Sequence, residues 1–170
     1  TKKINFSNVW HVISNLMSDF LSKKLVFSKI KRNVKTSSTL ANYKPYIFFN
    51  DMIFISGQLP IINDKIKFPG KIDQELSIDE AKESITIATS NLLWSLNDYV
   101  ENQKKDIKSI KCINIKGYIN STEKFQDHSA LFNEASNLII KVLGKNDGEH
   151  SRSVVGVSSL PKNAPVEVDG

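Results

Sequence analysis

The sequence has too few cysteines and histidines for a disulfide framework or an evident metal site. Cys112 is the single cysteine among 170 residues, which excludes an internal disulfide and a cysteine-based metal site and fits a reducing compartment. The three histidines, His11, His128 and His150, lack the i, i+4 spacing that places two ligands on one helix. We therefore predict that the protein uses neither a metal ion nor another cofactor.

Several signatures of enzymes and membrane proteins are also missing. The sequence contains no phosphate loop of the GxGxxG or GxxxxGK[ST] type, no HExxH motif and no GxSxG motif. It has no apolar run of about 18 residues, the length that spans a bilayer. No membrane span is therefore predicted.

Arginine is scarce, and positive charge is unevenly distributed. Arg32 and Arg152 are the only arginines in a chain that otherwise uses lysine. Residues 1–35 hold eight Lys or Arg and one acid, whereas residues 36–170 hold fifteen Lys or Arg and seventeen acids. The body of the protein is thus slightly acidic, which argues against nucleic acid as its partner.

The basic lead segment, residues 1–40, is predicted to contain an amphipathic helix followed by a linker. Apolar side chains recur at i, i+3, i+4 and i+7 between Val9 and Leu21, which is typical of a helix with one packing face. This helix either packs on the body or acts as a targeting segment, since it is rich in Lys and Ser. We expect a cytoplasmic protein, with import into mitochondria or plastids as the alternative.

Residues 41–170 have the length of one domain and predict an α+β fold. Asn50-Asp51 and Asn63-Asp64 each lie between short β-rich runs and predict two hairpins. Ser77 and Glu80 form a capping box that opens a long helix. The rest predicts a strand over 106–120, a second long helix over 121–144 ending at Gly144, and two strands over 151–159 and 165–168. The expected architecture is a mixed sheet with two long helices on one face.

Arg152 and Glu167 are the candidate functional pair, on two strands that follow each other in the chain. A guanidinium matches a carboxylate with two parallel hydrogen bonds, which the point charge of lysine cannot do. A carboxylate close to a bound anion could orient or activate a water molecule. The alternative is an ion pair between Arg152 and Glu167 that joins neighbouring strands.

Three segments and the order of elements carry a resemblance to a known family. "ISGQLP", "NEASNLI", "HSRSVVGVSSLPKNAPVEV" and the order of elements resemble the RidA/YjgF (L-PSP) family over about residues 40–169. The longest motif, residues 150–168, is the most specific. The segments "NEASNLI" and "HSRSVVGV" are most similar to the branch of this family that has a longer second helix and a longer N-terminus.

The resemblance implies a chorismate-mutase-like fold and a homotrimer with three ligand clefts between subunits. It also implies hydrolysis of reactive enamine or imine intermediates, such as 2-aminoacrylate, to the 2-keto acid and ammonia. The expected ligand is a small imine, enamine or keto acid that carries a carboxylate. Two alternatives remain open: a non-catalytic module that binds or senses small carboxylates, and an endoribonuclease or translation inhibitor.

The resemblance assigns roles to individual residues. Arg152 matches the arginine that grips the substrate carboxylate, and Glu167 matches the acid that positions or activates water. Five further residues match positions that bind substrate: Tyr46, Ser56, Gly57, Asn133 and Val154. Val154 stands where the imine-hydrolysing members often have cysteine, so the predicted pocket lacks a thiol and is more apolar.

Overall fold

The computed structural model describes residues 30, 32, 42–104 and 110–170. The predicted lead helix lies outside these residues, as do residues 106–109 of the strand predicted over 106–120. No helix in the described part of the chain is long and apolar enough to cross a membrane.

Two β-hairpins open the body, as the sequence predicts. Strand β1 (Tyr46–Phe49) pairs antiparallel with β2 (Met52–Ile55), and β3 (Ile61–Ile62) pairs with β4 (Lys65–Ile66). Asn50, Asp51, Asn63 and Asp64 have φ of 47°, 62°, 49° and 65°. Asn and Asp tolerate this left-handed region, which tight hairpin turns require.

The first long helix, α1 (Ile78–Asn102), begins at the predicted capping box. Ser77 Oγ accepts a hydrogen bond from the Glu80 backbone N–H at 3.3 Å, and the Glu80 carboxylate accepts one from the Ser77 backbone N–H at 2.9 Å. These two bonds satisfy backbone donors that a helix start leaves unpaired. One face of α1 is buried against the sheet, including Ile85, Leu92 and Leu93.

The second helical region is shorter than predicted and has a break. It consists of α2 (His128–Leu131) and α3 (Asn133–Leu143), and a single turn, α4 (Lys145–Gly148), follows Gly144. Residues 121–127 are not helical, because Ser121 forms a β-bridge with Ile72 and Thr122 accepts a turn hydrogen bond from Phe125. Gly144, with φ of 85°, ends α3 as expected.

Three strands form the central sheet in the order β6, β5, β7. Strand β5 (Asn114–Asn120) pairs parallel with β6 (Ser151–Val157) and antiparallel with β7 (Val166–Asp169). The predicted strand over 106–120 therefore begins only at Asn114, and Cys112 precedes it. A helical crossover between β5 and β6 makes their parallel pairing possible.

The first hairpin extends this sheet beyond β7. Gln58 N–H donates to Val168 O at 2.8 Å, Val168 N–H donates to Gln58 O at 3.0 Å, and Ile55 N–H donates to Gly170 O at 2.6 Å. The order of the strands across the extended sheet is therefore β1, β2, β7, β5, β6. The mixed sheet with helices on one face confirms the predicted α+β class.

The two faces of the sheet differ in composition. Ile115, Ile119, Val166 and Val168 point toward α1 and α3 and are almost completely buried in the core. The opposite face, called the open face below, carries the alternate residues of each strand. On β1 and β2 these are four large apolar side chains that are 42 to 62% exposed: Ile47, Phe49, Met52 and Phe54.

The end of the lead segment contacts α1. Arg32 Nη2 lies 2.7 Å from Asp98 Oδ2, and its guanidinium lies over the Trp94 ring. The Trp94 indole N–H donates to the Ile30 carbonyl at 3.2 Å. Burial nevertheless raises the pKa of Asp98, and Arg32 offsets only part of that effect. Arg32 thus has a structural partner within the body.

Candidate functional site

Arg152 lies on β6, on the face of the sheet that the helices cover. Its register partner is the buried Ile115 of β5, which places its side chain toward α2 and α3. Nη1 donates to Ser136 Oγ at 3.0 Å, and Nη2 donates to Asn133 Oδ1 at 2.9 Å. Nη2 also donates to the carbonyl and hydroxyl oxygens of Ser129 at 3.0 and 3.2 Å. The two helices therefore fix the guanidinium at the edge of the sheet.

The charge of Arg152 has no acidic partner in the described part of the chain. All of its acceptors are neutral oxygens, and none of the ion pairs among these residues includes it. Among the same residues, the Nε–H group has no acceptor. An uncompensated guanidinium with an available donor is suited to bind an anion.

Ser136 connects Arg152 to His150. His150 Nδ1 lies 2.6 Å from the carbonyl oxygen of Gly148, and Nε2 lies 3.0 Å from Ser136 Oγ. A carbonyl can only accept, so Nδ1 carries the proton and Nε2 is left as an acceptor. With the neutral imidazole in this tautomer, the Ser136 hydroxyl donates its proton to His150 Nε2 and accepts a hydrogen bond from Arg152 Nη1.

Val154 lies two residues after Arg152 on the same side of β6. Its register partner is Gly117, and it is partly buried against the core. Asn133, another residue matched by the resemblance, accepts a hydrogen bond from Arg152 at 2.9 Å. The structure thus brings together three of the predicted site residues: Arg152, Asn133 and Val154.

Glu167 forms a second group on the open face of the sheet. Its register partner on β5 is Tyr118, and its carboxylate lies against Gly57. Ser56, next to Gly57, donates its hydroxyl to the Lys44 carbonyl at 2.7 Å. Ser56 and Gly57 also line a cavity of about 440 Å³ between β2, α1 and residues 110–116.

Polar neighbours on the open face influence the titration of Glu167. Tyr118 donates its hydroxyl to Asp169 Oδ2 at 3.0 Å, and Lys116 Nζ lies 3.2 Å from Asp169 Oδ1. Partial burial raises the pKa of Glu167, and the nearby Asp169 carboxylate raises it further. Glu167 is thus a carboxyl group that gives up its proton less readily than an exposed glutamate.

Arg152 and Glu167 do not meet within one chain. Strand β5 separates β6 from β7, and the register places Arg152 on the helix face and Glu167 on the open face. The alternative of an ion pair that joins neighbouring strands is therefore wrong for the single chain. Local sequence could not reveal this, because strand order depends on how the whole chain folds.

Tyr46 belongs to neither group. Its ring packs edge-on against Tyr99 of α1 with centroids 5.6 Å apart, and its hydroxyl accepts a hydrogen bond from Asn102 at 3.1 Å. Within one chain, its contacts are those of an aromatic residue that anchors the start of a strand to a helix.

Sequence reasoning missed Ser129, Ser136 and His150. A signal was available: Ser129, Asn133 and Ser136 have i, i+4, i+7 spacing, which places three hydrogen-bonding side chains on one helix face. His150 lies two residues before Arg152, and side chains two residues apart in an extended chain point to the same face. No group of three or more His, Cys, Asp or Glu side chains suited to a metal ion occurs in the described residues.

Comparison with a family model identifies the chain. Residues 23–168 match the model described as "YjgF/chorismate_mutase-like, putative endoribonuclease". The chain belongs to the YjgF/chorismate mutase-like family. The match includes every predicted site residue and confirms both the resemblance and the fold that it implies.

Individual proteins are also similar to this chain in sequence or in fold. Protein TCP17 of Trypanosoma cruzi is 29% identical over 128 residues, which is 75% of this chain and 78% of that protein. The crystal structure of Atu1372, a protein of unknown function from Agrobacterium tumefaciens, has a TM-score of 0.75 at 28% identity, covering 92% of this chain and 96% of that one. A putative endoribonuclease from Shewanella oneidensis MR-1 has a TM-score of 0.77 at 20% identity, covering 87% and 96%.

Proposed function

We propose that this YjgF-like protein hydrolyses small enamines or imines that carry a carboxylate, and releases a 2-keto acid and ammonia. The observation that carries the proposal is the setting of Arg152. Neutral oxygens from two helices hold its guanidinium, and its charge lacks an acidic partner in the described residues. A substrate carboxylate would supply the missing negative charge.

The reaction requires few protein groups beyond the Arg152 guanidinium that would bind the carboxylate. An enamine first takes a proton on its methylene carbon and becomes the iminium ion. Water then adds to the carbon of the C=N bond, the resulting carbinolamine receives a proton on nitrogen, and ammonia leaves as the C=O bond forms. Water and the iminium ion thus give the ketone and ammonium, without an external oxidant or reductant. Val154 offers an apolar contact beside the anchor, which fits a substrate as small as 2-aminoacrylate.

The proposal includes assembly into a homotrimer with clefts between subunits. Arg152 lies on β6, which has a strand partner on only one side within the described chain. Glu167 lies on the other face, so a Glu167 beside Arg152 would have to come from a second copy of the chain. The exposed side chains of Phe49, Met52 and Phe54 on the open face support a buried contact between copies.

The test measures ammonia and pyruvate release while a dehydratase generates 2-aminoacrylate. The wild-type protein should accelerate release over the spontaneous rate, and Arg152→Ala should lose most of the acceleration, with Arg152→Lys between them. Arg32→Ala is the matched control, because it removes the other arginine while leaving the site intact. Equal rates with and without the wild-type protein would contradict the proposal, as would an unaffected Arg152→Ala.

A non-catalytic module that binds small carboxylates is the second candidate. It is favoured by one observation, the separation of Arg152 and Glu167 on opposite faces of the sheet. It predicts that pyruvate raises the thermal midpoint of the wild type but not of Arg152→Ala, while 2-aminoacrylate is not turned over. Turnover that depends on Arg152 would exclude this candidate.

A further inference from the structure

Ser136 contacts the Arg152 anchor directly and His150 contacts Ser136, whereas no described acid forms an ion pair with Arg152. Ser136 Oγ is 3.0 Å from Arg152 Nη1 and 3.0 Å from His150 Nε2. Glu167, by contrast, lies on another strand and on the other face of the sheet. A ligand held by Arg152 would therefore meet the serine hydroxyl within the same chain.

The surrounding hydrogen bonds fix which atom donates and which accepts between Ser136 and His150. Gly148 O accepts from His150 Nδ1–H, which leaves the Nε2 lone pair directed at the serine hydroxyl. Ser136 Oγ accepts from Arg152 and donates to His150, and its second lone pair remains for another donor. A hydroxyl, a base and a group that orients the base are the parts of a proton-transfer unit.

The residues that form and surround the pair are partly or largely exposed to solvent. Ser136, His150 and Arg152 are only partly buried, while Ser129 and Asn133 beside them are exposed. The arrangement also differs from that of Ser121 and His128, whose side chains lie 3.1 Å apart farther along the sheet. No hydrogen bond in the described part of the chain joins that second pair to Arg152, so the pair serves as an internal comparison.

We propose that Ser136 and His150 form a proton relay for the ligand anchored by Arg152, an inference that rests on the proposed hydrolysis. Water adds to the imine carbon and gives a proton to Ser136 Oγ, which passes its own proton to His150 Nε2. The imidazolium then returns a proton through Ser136 to the carbinolamine nitrogen. The C–N bond breaks with its electron pair on nitrogen, the hydroxyl becomes the C=O group, and ammonia takes up the released proton.

Steady-state kinetics with 2-aminoacrylate test the relay. Ser136→Ala and His150→Gln should each lower kcat about 100-fold, the scale of general acid–base catalysis, while KM changes less than about threefold. Ser136→Thr keeps the hydroxyl and should recover most of kcat. Ser121→Ala, which alters the comparison pair, should behave as the wild type does.

The outcomes separate the relay from the hydrolysis itself. If the wild type turns over 2-aminoacrylate but Ser136→Ala keeps its kcat, the relay is wrong and the hydrolysis stands. If Ser136→Ala raises KM as strongly as Arg152→Ala does and leaves kcat unchanged, Ser136 only positions Arg152 and the relay is again wrong. If the wild type has no activity, the hydrolysis and the relay are both wrong.

Discussion

Gly57 lies against the carboxylate of Glu167, on a segment that backbone hydrogen bonds hold beside β7. A Cβ built on Gly57 would overlap Glu167 Oε1 and stand 2.7 Å from its Cδ. The two hydrogen bonds between Gln58 and Val168 fix the spacing of the two segments. The side chain of Glu167 would therefore have to move to accept a methyl group at position 57, because the backbone cannot separate without losing these bonds.

Gly57→Ala should displace the Glu167 carboxylate with little loss of stability. The moving atoms are the end of a flexible side chain, so we expect the free energy of unfolding to change by about 0.5 kcal/mol or less. If Glu167 acts in turnover, Gly57→Ala should lower kcat, and adding it to Glu167→Gln should lower kcat no further. Chemical denaturation and steady-state rates of the single and double variants measure both effects. Additive losses would indicate that Gly57 acts independently of Glu167.

Glu167→Gln should stabilise the protein at neutral pH. The pKa of Glu167 is raised, first by burial and then by Asp169, so the folded state disfavours the ionised carboxylate. This cost is absent below the pKa of the unfolded state, where the group is protonated in both states, and it is complete above the raised folded pKa. The thermal midpoint of Glu167→Gln should exceed that of the wild type at pH 7, and the difference should disappear near pH 4. A difference that stays constant with pH would contradict the assigned cause.

Phe54→Asp should break the proposed contact between copies. Phe54 is 53% exposed on the open face, and a carboxylate buried in an apolar interface would be strongly unfavourable. We expect light scattering coupled to gel filtration to give a trimer mass for the wild type and a smaller mass for the variant. Ile78→Asp is the control, since Ile78 is 43% exposed at the start of α1, away from the open face. A wild-type monomer would contradict the trimer.

Cys112 should react slowly with alkylating reagents. Partial burial raises the pKa of its thiol to about 11, and only the thiolate is nucleophilic. In the folded protein, iodoacetamide at pH 8 should modify Cys112 far more slowly than in the denatured protein. The folded rate should rise steadily as the pH increases toward 10. Mass spectrometry of timed samples measures both rates, and rapid modification of the folded protein at pH 8 would contradict the raised pKa.

Local signals predicted the parts of the fold that depend on local chemistry. The Asn-Asp turns at 50–51 and 63–64 and the capping box of Ser77 and Glu80 occur where expected, because each requires only a few adjacent residues. Boundaries were less accurate: β5 begins at Asn114 and α2 at His128. Contacts distant in sequence override the local pattern: Cys112 N–H donates to Asp147 O before β5, and Ser121 bridges Ile72 before α2.

The sequence by itself determined the family, the α+β class and the identity of Arg152 as the scarce guanidinium in a specific motif. Only the tertiary structure decided which groups surround it. Strand β5 lies between β6 and β7, and the pairing register places Glu167 on the face opposite Arg152. The packing of α2 and α3 on the other face brings Ser129, Ser136 and Asn133 to the guanidinium. Strand order and the face of each side chain follow from packing between distant segments, and short-range sequence patterns do not encode that packing.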